Sequence, residues 1–275
     1  GDDIRAGDQG IMFGYATAES PVLTPLTHWL SFEIIRLIEC DIVEGRRDDS
    51  WQSPFLPDAK AQVTIRYDDG GTPLTVDTVL ISVCHRNDVS LDELRRYVGE
   101  KICTRFRNSP LFTDATKWLI NPAGKWNVGG PAADTGLSGR KIVVDNYGAD
   151  CPVGGGSFSG KDPTKVDRSA AYAARHVAKN IVAAGFAKKC QVQLSYAIGV
   201  AEPVSIRIQT FGTGISNDEG LAAKLRELVS FTPKSIIHRF GLRNPIYRQT
   251  AAGGHFGRPT FPWERLDLVA QLKLM

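Results

Sequence analysis

The sequence lacks most of the patterns that identify a chemistry at a glance. Its five cysteines, Cys40, Cys84, Cys103, Cys151 and Cys190, are odd in number, widely spaced and contain no C-x-x-C pair. That argues against a disulfide framework and a thiolate zinc site, and fits a reducing cytosol. The histidines His28, His85, His176, His238 and His255 are scattered, and no H-E-x-x-H occurs, which excludes the usual zinc hydrolase. No apolar run approaches a membrane span and no signal peptide opens the chain, so a cytoplasmic protein without a membrane partner is expected. There is no long Lys/Arg run, and a formal net charge of +3 is too small to imply nucleic acid. Anion binding must therefore come from local clusters.

What is present is a chain of 275 residues, 42% hydrophobic and 23% charged, enough to bury two cores. Residues 24–40 place Leu26, Leu30, Ile34, Leu37 and Ile38 at helical spacing. Residues 45–50 are polar and read as a loop. Val63, Ile65 and Tyr67 alternate with polar residues as in a strand with one wet face, the segment 68–71 signals a turn, and 74–83 reads as the returning strand. Ser90 followed by Glu93 has the form of a capping box opening a helix to about residue 106. Residues 142–144 read as a buried strand. Residues 165–184 read as a helix apolar on one face, with Gly185 as its terminal glycine. Residues 191–200, with Val192, Leu194, Tyr196 and Ile198 on one face, and residues 205–213 read as strands, and 218–230 as an amphipathic helix. Without a regular βαβ alternation, the expected class is α+β, with antiparallel or mixed sheets and helices on one face. The composition breaks near Gly129-Gly130-Pro131, giving domains 1–128 and 129–275.

The chemistry concentrates in two glycine-rich segments, residues 129–141 and 154–162. Glycines let backbone N–H groups surround an anion, and Lys161 follows the second set. A helix begins just afterwards, so its N-terminus adds partial positive charge. Residues 155–161 match the first part of a G-x-x-x-x-G-K pattern, but Asp162 stands where a Ser or Thr should bind magnesium, so an ordinary P-loop is excluded. The cations Arg140, Lys141, Lys161, Lys165 and Arg168 lie among the carboxylates Asp134, Asp162 and Asp167. Such a mixture suits a magnesium-bound polyphosphate; the plain alternative is a set of surface ion pairs.

The segment Gly156-Ser157-Phe158-Ser159-Gly160-Lys161-Asp162-Pro163-Thr164-Lys165-Val166-Asp167-Arg168-Ser169-Ala170-Ala171-Tyr172 resembles the GGGAFSGKDPSKVDRSAAY signature of S-adenosylmethionine synthetases. Ala6-Gly7-Asp8-Gln9-Gly10 resembles that family's GAGDQG block, and Pro57-Asp58-Ala59-Lys60 its RPDAK block. Residues 195–203 and His255-Phe256-Gly257-Arg258 resemble blocks nearer the C-terminus. The resemblance implies domains of one shared architecture. It also implies synthesis of S-adenosylmethionine from ATP and L-methionine, in which the sulfur attacks the ribose 5′ carbon and the expelled triphosphate is hydrolysed to phosphate and pyrophosphate.

By the same resemblance Lys161, Arg140 and Lys141 contact the phosphates and carry the catalysis, with Lys60 and Ser157 also at the ATP. Asp167 is a magnesium ligand, and Ser159 lies near a potassium site. Asp58 and Asp134 belong to the nucleoside, and Asp8, Asp134 and Lys165 to methionine. Lys125 and Trp126 stand where the family has an Arg-Phe pair whose ring stacks on adenine. Ile198 matches an apolar wall of the nucleoside pocket; from the pattern alone it is a strand core residue. The implied assembly is a homodimer or a dimer of dimers with the site at the subunit interface. The family's opening GHPDK motif has no counterpart, since no His-Pro occurs. The chain is then expected to work with a separate segment or fragment that supplies it. A partner or regulatory subunit that keeps the fold without catalysis is the alternative.

Overall fold

In a computed structural model the chain is described over residues 4–45 and 53–274. Beyond Gly45, the polar loop expected at 45–50 lies outside the described residues. The elements in chain order are β1 (Gly10–Thr17), α1 (Leu26–Glu44), β2 (Phe55–Tyr67), β3 (Pro73–His85), α2 (Leu91–Lys101), β4 (Lys117–Ile120), α3 (Ile142–Asp145), α4 (Val166–Ala183), β5 (Lys189–Tyr196), β6 (Ser205–Gln209), α5 (Asp218–Leu228), α6 (Pro233–Phe240) and α7 (Val269–Lys273). The class is α+β with open sheets. No described helix is long and apolar enough to cross a membrane.

Two compact units form: residues 26–137, and residues 1–25 together with 138–275. The linear break expected at 128/129 and this spatial grouping are different divisions, because β1 is built into a sheet with β5 and β6.

In the unit of residues 26–137, β2 and β3 form an antiparallel hairpin and β4 adds to β3 in parallel. The turn closes through the Asp68 carboxylate, which accepts from the Thr72 N–H at 2.7 Å. Leu26, Leu30, Ile34, Ile38 and Ile42 recur every fourth residue along one stripe of α1 and are buried with Val63, Val79 and Ile81 of the hairpin. The capping box opens α2 as expected: the Ser90 hydroxyl accepts from the Glu93 N–H and the Glu93 carboxylate from the Ser90 N–H. That helix ends at Lys101, and a short 3-10 turn, Cys103–Arg105, completes the expected span.

In the other unit the sheet order is β1-β5-β6, all antiparallel, with α4 laid on it. Helix and strand meet at Gly14, where a Cβ would stand 2.0 Å from the Ala174 carbonyl carbon. The expectation that α4 is apolar on one face is corrected. It is buried on nearly every side, polar residues included, because α6, α7 and the 262–264 turn cover what the sheet does not. Arg175, fully buried, makes a bidentate pair with Glu264 at 2.9 Å and donates to the carbonyls of Tyr15, Val22 and Leu23. Lys179 joins the same carboxylate at 2.7 Å.

The buried strand expected at 142–144 is also corrected. Those residues open the one-turn helix α3, and Val143 and Val144 are exposed. A three-residue apolar run carries no period that distinguishes strand from helix. The strand expected at 191–200 stops at Tyr196, and Gly199, at φ +77°, turns the chain away. Val192 and Leu194, with Ile208 of β6, form core in this unit rather than an outer face.

Candidate functional site

The predicted site residues fall into two groups, one in each unit. The first gathers where α4 begins. Lys165 is the N-cap of α4 and Asp167 lies in its first turn. Ahead of it the Asp162 carboxylate accepts from the Thr164 N–H at 2.8 Å, and the Lys165 N–H donates to the Asp162 carbonyl at 3.1 Å. Asp162 is thus a turn-former that sets the entry angle of α4, which accounts for a carboxylate where a P-loop has a hydroxyl. The Lys161 ammonium donates to Asp167 Oδ2 at 2.5 Å.

Two backbone segments converge on Asp167. A Cβ at Gly156 would stand 2.5 Å from its Cγ, and one at Gly10 would lie 3.8 Å from its Oδ1. A Cβ at Gly154 would overlap the Ile11 carbonyl oxygen at 1.8 Å, so the glycine loop lies directly on the start of β1. The 7–10 segment passes Lys165, whose Nζ would be 3.7 Å from a Cβ at Gly7. Asp8, exposed, is in this segment and its carboxylate accepts from the Gln9 N–H at 2.8 Å. Ala6 exchanges main-chain hydrogen bonds with Val200 and Gly199, which brings the turn bearing Ile198 against the 6–8 segment. Ile198 is 63% exposed, so its reading as strand core is corrected: it stands at the rim of this group. Arg140 and Lys141 are exposed, and the backbone beside them reaches the loop, since a Cβ at Gly139 would be 2.4 Å from Ser157 Cβ. Ser159 is hydrogen-bonded to His255, Oγ to Nε2, at 3.3 Å.

The second group is in the 26–137 unit. Asp58 sits where the β2–β3 register shifts, at φ +143°, a strained conformation for a residue with a side chain. Its carboxylate accepts from the Gly130 N–H at 2.8 Å. A Cβ at Gly129 would lie 3.0 Å from both Asp58 Cβ and Cys84 Sγ, so only glycine fits there without displacement. Burial, and secondarily the Asp58 charge, raise the Cys84 pKa above the usual thiol value. The Lys60 ammonium stands 5.6 Å from the centre of the Trp126 ring. Trp126 is held by its backbone: its N–H donates to His85 Nε2 at 3.3 Å, and its carbonyl accepts from the His85 N–H at 2.8 Å. The buried His85 ring places Nδ1 3.0 Å from the Arg86 carbonyl. Lys125 and Asp134 are exposed.

Reading the residues alone gave no role to His85, Tyr172 or His255, and counted Arg168 only as one cation among five. For His255 the legible signal was the His-Phe-Gly-Arg block; for Arg168 and Tyr172 it was their place in the signature after Lys161. His85 carried no signal beyond ending a strand.

Magnesium can be tested against this donor set. Among the described residues no three His, Cys, Asp or Glu side chains gather into a metal cage. Asp167 supplies one carboxylate beside a lysine, which fits a magnesium ion that keeps waters and is completed by substrate phosphates.

Two sheet-and-helix units and a glycine loop folded onto the first turn of a long helix define the class of this chain. A family profile described as "S-adenosylmethionine synthetase, central domain" matches residues 3–126, and one described as "S-adenosylmethionine synthetase, C-terminal domain" matches residues 128–265. The chain is 52% identical over 273 residues to an S-adenosylmethionine synthase of Desulforudis audaxviator (strain MP104C), covering 98% of this chain and 67% of that protein, in its C-terminal part. The chain belongs to the S-adenosylmethionine synthetase family.

Proposed function

We propose that this chain supplies the phosphate-holding and nucleoside-holding parts of an enzyme that makes S-adenosylmethionine from ATP and L-methionine, and that a segment absent from this sequence completes it. The observation that carries the reading is the meeting of the glycine loop, Lys161 and Asp167 at the start of α4. A triphosphate leaving group needs preorganised positive charge that costs no reorganisation when the bond breaks. Lys161 is such a cation, and Arg140 and Lys141 are exposed on the neighbouring turn. Magnesium, when bound, neutralises part of the phosphate charge, and Asp167 is the residue to hold it. Potassium near Ser159 rests on the family resemblance alone, since that hydroxyl is paired with His255.

In the other unit, Trp126 offers its ring to adenine, with Lys60 above it, and Asp58 and Asp134 are assigned to the nucleoside. Asp8, Asp134 and Lys165 are assigned to methionine, whose ammonium needs a carboxylate and whose carboxylate needs a cation. A homodimer or dimer of dimers is part of the same reading.

The test is to incubate the chain with ATP, methionine, magnesium and potassium, with and without the part of the Desulforudis relative that it does not span. The expected result is product from the mixture only. Product from the chain alone would mean that it is complete in itself; none from either favours a non-catalytic partner. Lys161→Ala should lower turnover of the mixture about 10²–10³-fold with the fold retained, the usual loss when one preorganised donor is removed from a developing anion. Unchanged turnover would remove Lys161 from the site.

A further inference from the structure

We propose that Arg168 is a positioning residue for polyphosphate binding: from the buried side of the glycine loop it fixes the main chain at Lys161, and so sets where the Lys161 ammonium stands. The inference rests on the reading of Lys161 as a phosphate ligand.

Arg168 follows Asp167 in the first turn of α4, about 100° further round the helix. Asp167 is half-buried on the loop side, whereas Arg168 is 5% exposed. Its guanidinium spends each nitrogen on a different anchor. Nη1 donates to the Lys161 carbonyl at 2.9 Å, Nε to the Tyr172 hydroxyl at 3.0 Å and Nη2 to the Thr250 hydroxyl at 3.2 Å. The plane lies over the Tyr247 ring, 4.2 Å from its centre. Lys161 is therefore held at both ends by consecutive residues of one helical turn, its carbonyl by Arg168 and its ammonium by Asp167.

The same network grips the loop a second time. Tyr172 OH lies 2.7 Å from His255 Nδ1, and His255 Nε2 lies 3.3 Å from Ser159 Oγ. The directions close consistently. Arg168 Nε donates to the Tyr172 oxygen, leaving the Tyr172 proton for Nδ1, and Nε2 then carries the ring proton toward Ser159. Between the two anchored residues is Gly160, at φ +86°, where the loop reverses. A glycine hinge flanked by two anchors is a loop whose softest point has been constrained.

The charge on Arg168 also needs a reason. On the same helix Arg175 and Lys179 share the buried Glu264. Arg168 is in no ion pair among the described residues; its partners are one carbonyl and two hydroxyls. A buried cation without a carboxylate is a poor device for stability, where an apolar side chain would pack at lower cost. Its use lies in what the planar fork reaches, which a lysine at this position cannot reproduce.

The experiment is calorimetric titration of the chain with inorganic tripolyphosphate in magnesium buffer, on Arg168→Lys and Tyr172→Phe, each made with and without Lys161→Ala. Arg168→Lys keeps the charge and removes the fork; Tyr172→Phe keeps the ring and removes one anchor. With Lys161 present, Arg168→Lys should weaken binding about 10-fold and Tyr172→Phe about 3-fold, couplings of ordinary size for groups in one network. In the Lys161→Ala background both losses should shrink below about 2-fold, because there is no ammonium left to misplace. Equal losses in both backgrounds mean a merely structural role and overturn the proposal, as does no loss from Arg168→Lys where Lys161→Ala itself loses binding. If Lys161→Ala binds normally, the phosphate reading fails first and takes this inference with it. Should Arg168→Lys fail to fold, the Tyr172→Phe pair decides by the same comparison.

Discussion

Gly156→Ala should damage anion binding through space, and Gly155→Ala should damage stability through backbone strain. At Gly156 the backbone is not left-handed, yet an added Cβ would stand 2.5 Å from Asp167 Cγ and 2.8 Å from Asp167 Cβ. Rotating the Asp167 side chain relieves the first contact but not the second. Carbon atoms rest at about 3.5–4.0 Å, so loop and helix must part by about 1 Å. The helix is packed against β1, β5, α6 and α7, so the loop yields and Lys161 is pulled against its Arg168 anchor. A shift of about 1 Å in a positioned group costs about 10²-fold in rate, and overpacking of this kind about 1–3 kcal/mol in stability. One residue earlier, Gly155 has φ +87° and nothing within 4 Å of an added Cβ. Alanine there pays only the left-handed penalty, about 1–2 kcal/mol, and pushes nothing into Asp167. Thermal unfolding and tripolyphosphate titration, run on both variants at a temperature where each is folded, separate the two effects. Gly156→Ala with undiminished affinity, or Gly155→Ala with the larger loss, would refute the idea that close contact with Asp167 sets the loop.

Other outcomes follow from the same geometry. Trp126→Ala should weaken ATP binding by about 1–3 kcal/mol, the scale of an aromatic ring stacked on a base, while leaving tripolyphosphate binding unchanged; a loss for both ligands would deny the ring an adenine role. Glu264→Gln leaves the buried Arg175 and Lys179 without their carboxylate and should cost about 3–5 kcal/mol in urea unfolding, and a loss under 1 kcal/mol would show the network to be relaxed. Burial holds His255 neutral, with its pKa lowered to about 3, and lowers His176 to about 4. The contact of His176 with Asp267 at 2.6 Å has the form of an ion pair, but burial outweighs the carboxylate, so it is a hydrogen bond from a neutral ring. Both values are below the ordinary value of about 6.5, so on acidification the unfolded chain takes up protons first. Stability should then be complete above about pH 6.5 and fall toward pH 4 by up to about 1.4 kcal/mol per pH unit for each histidine. A melting temperature unchanged between pH 7 and 5 would contradict this.

The elements that sequence reading recovered are those whose periodicity is set by one partner. The stripe of α1 repeats every fourth residue because its buried positions face one partner, the hairpin, and the Ser90–Glu93 cap is local chemistry complete within four residues. What it missed depends on partners far along the chain. The polar residues of α4 read as a solvent face, but Glu264, Asp267 and the carbonyls of 15–23 bury them, at separations of 85 to 160 residues. The run 142–144 is apolar without being core, and Ile198 continues a period whose strand has already ended.

The candidate site divides along the same line. The glycines, Lys161 and Asp167 are legible because their chemistry is written in adjacent residues. The supports behind them are not, because a hydrogen bond from Arg168 to a carbonyl leaves no side-chain pattern at the accepting position. Asp162 shows the limit from the other side. Its identity excludes a P-loop, yet only the structure gives the reason: its carboxylate is consumed by the Thr164 N–H, and the turn so formed delivers Lys165 to the N-cap and Asp167 to the first turn of α4. The departure from the phosphate-loop pattern is therefore what aims this loop. The carboxylate that faces Lys161 comes from five residues beyond Asp162, inside the helix, rather than from the residue next to the lysine.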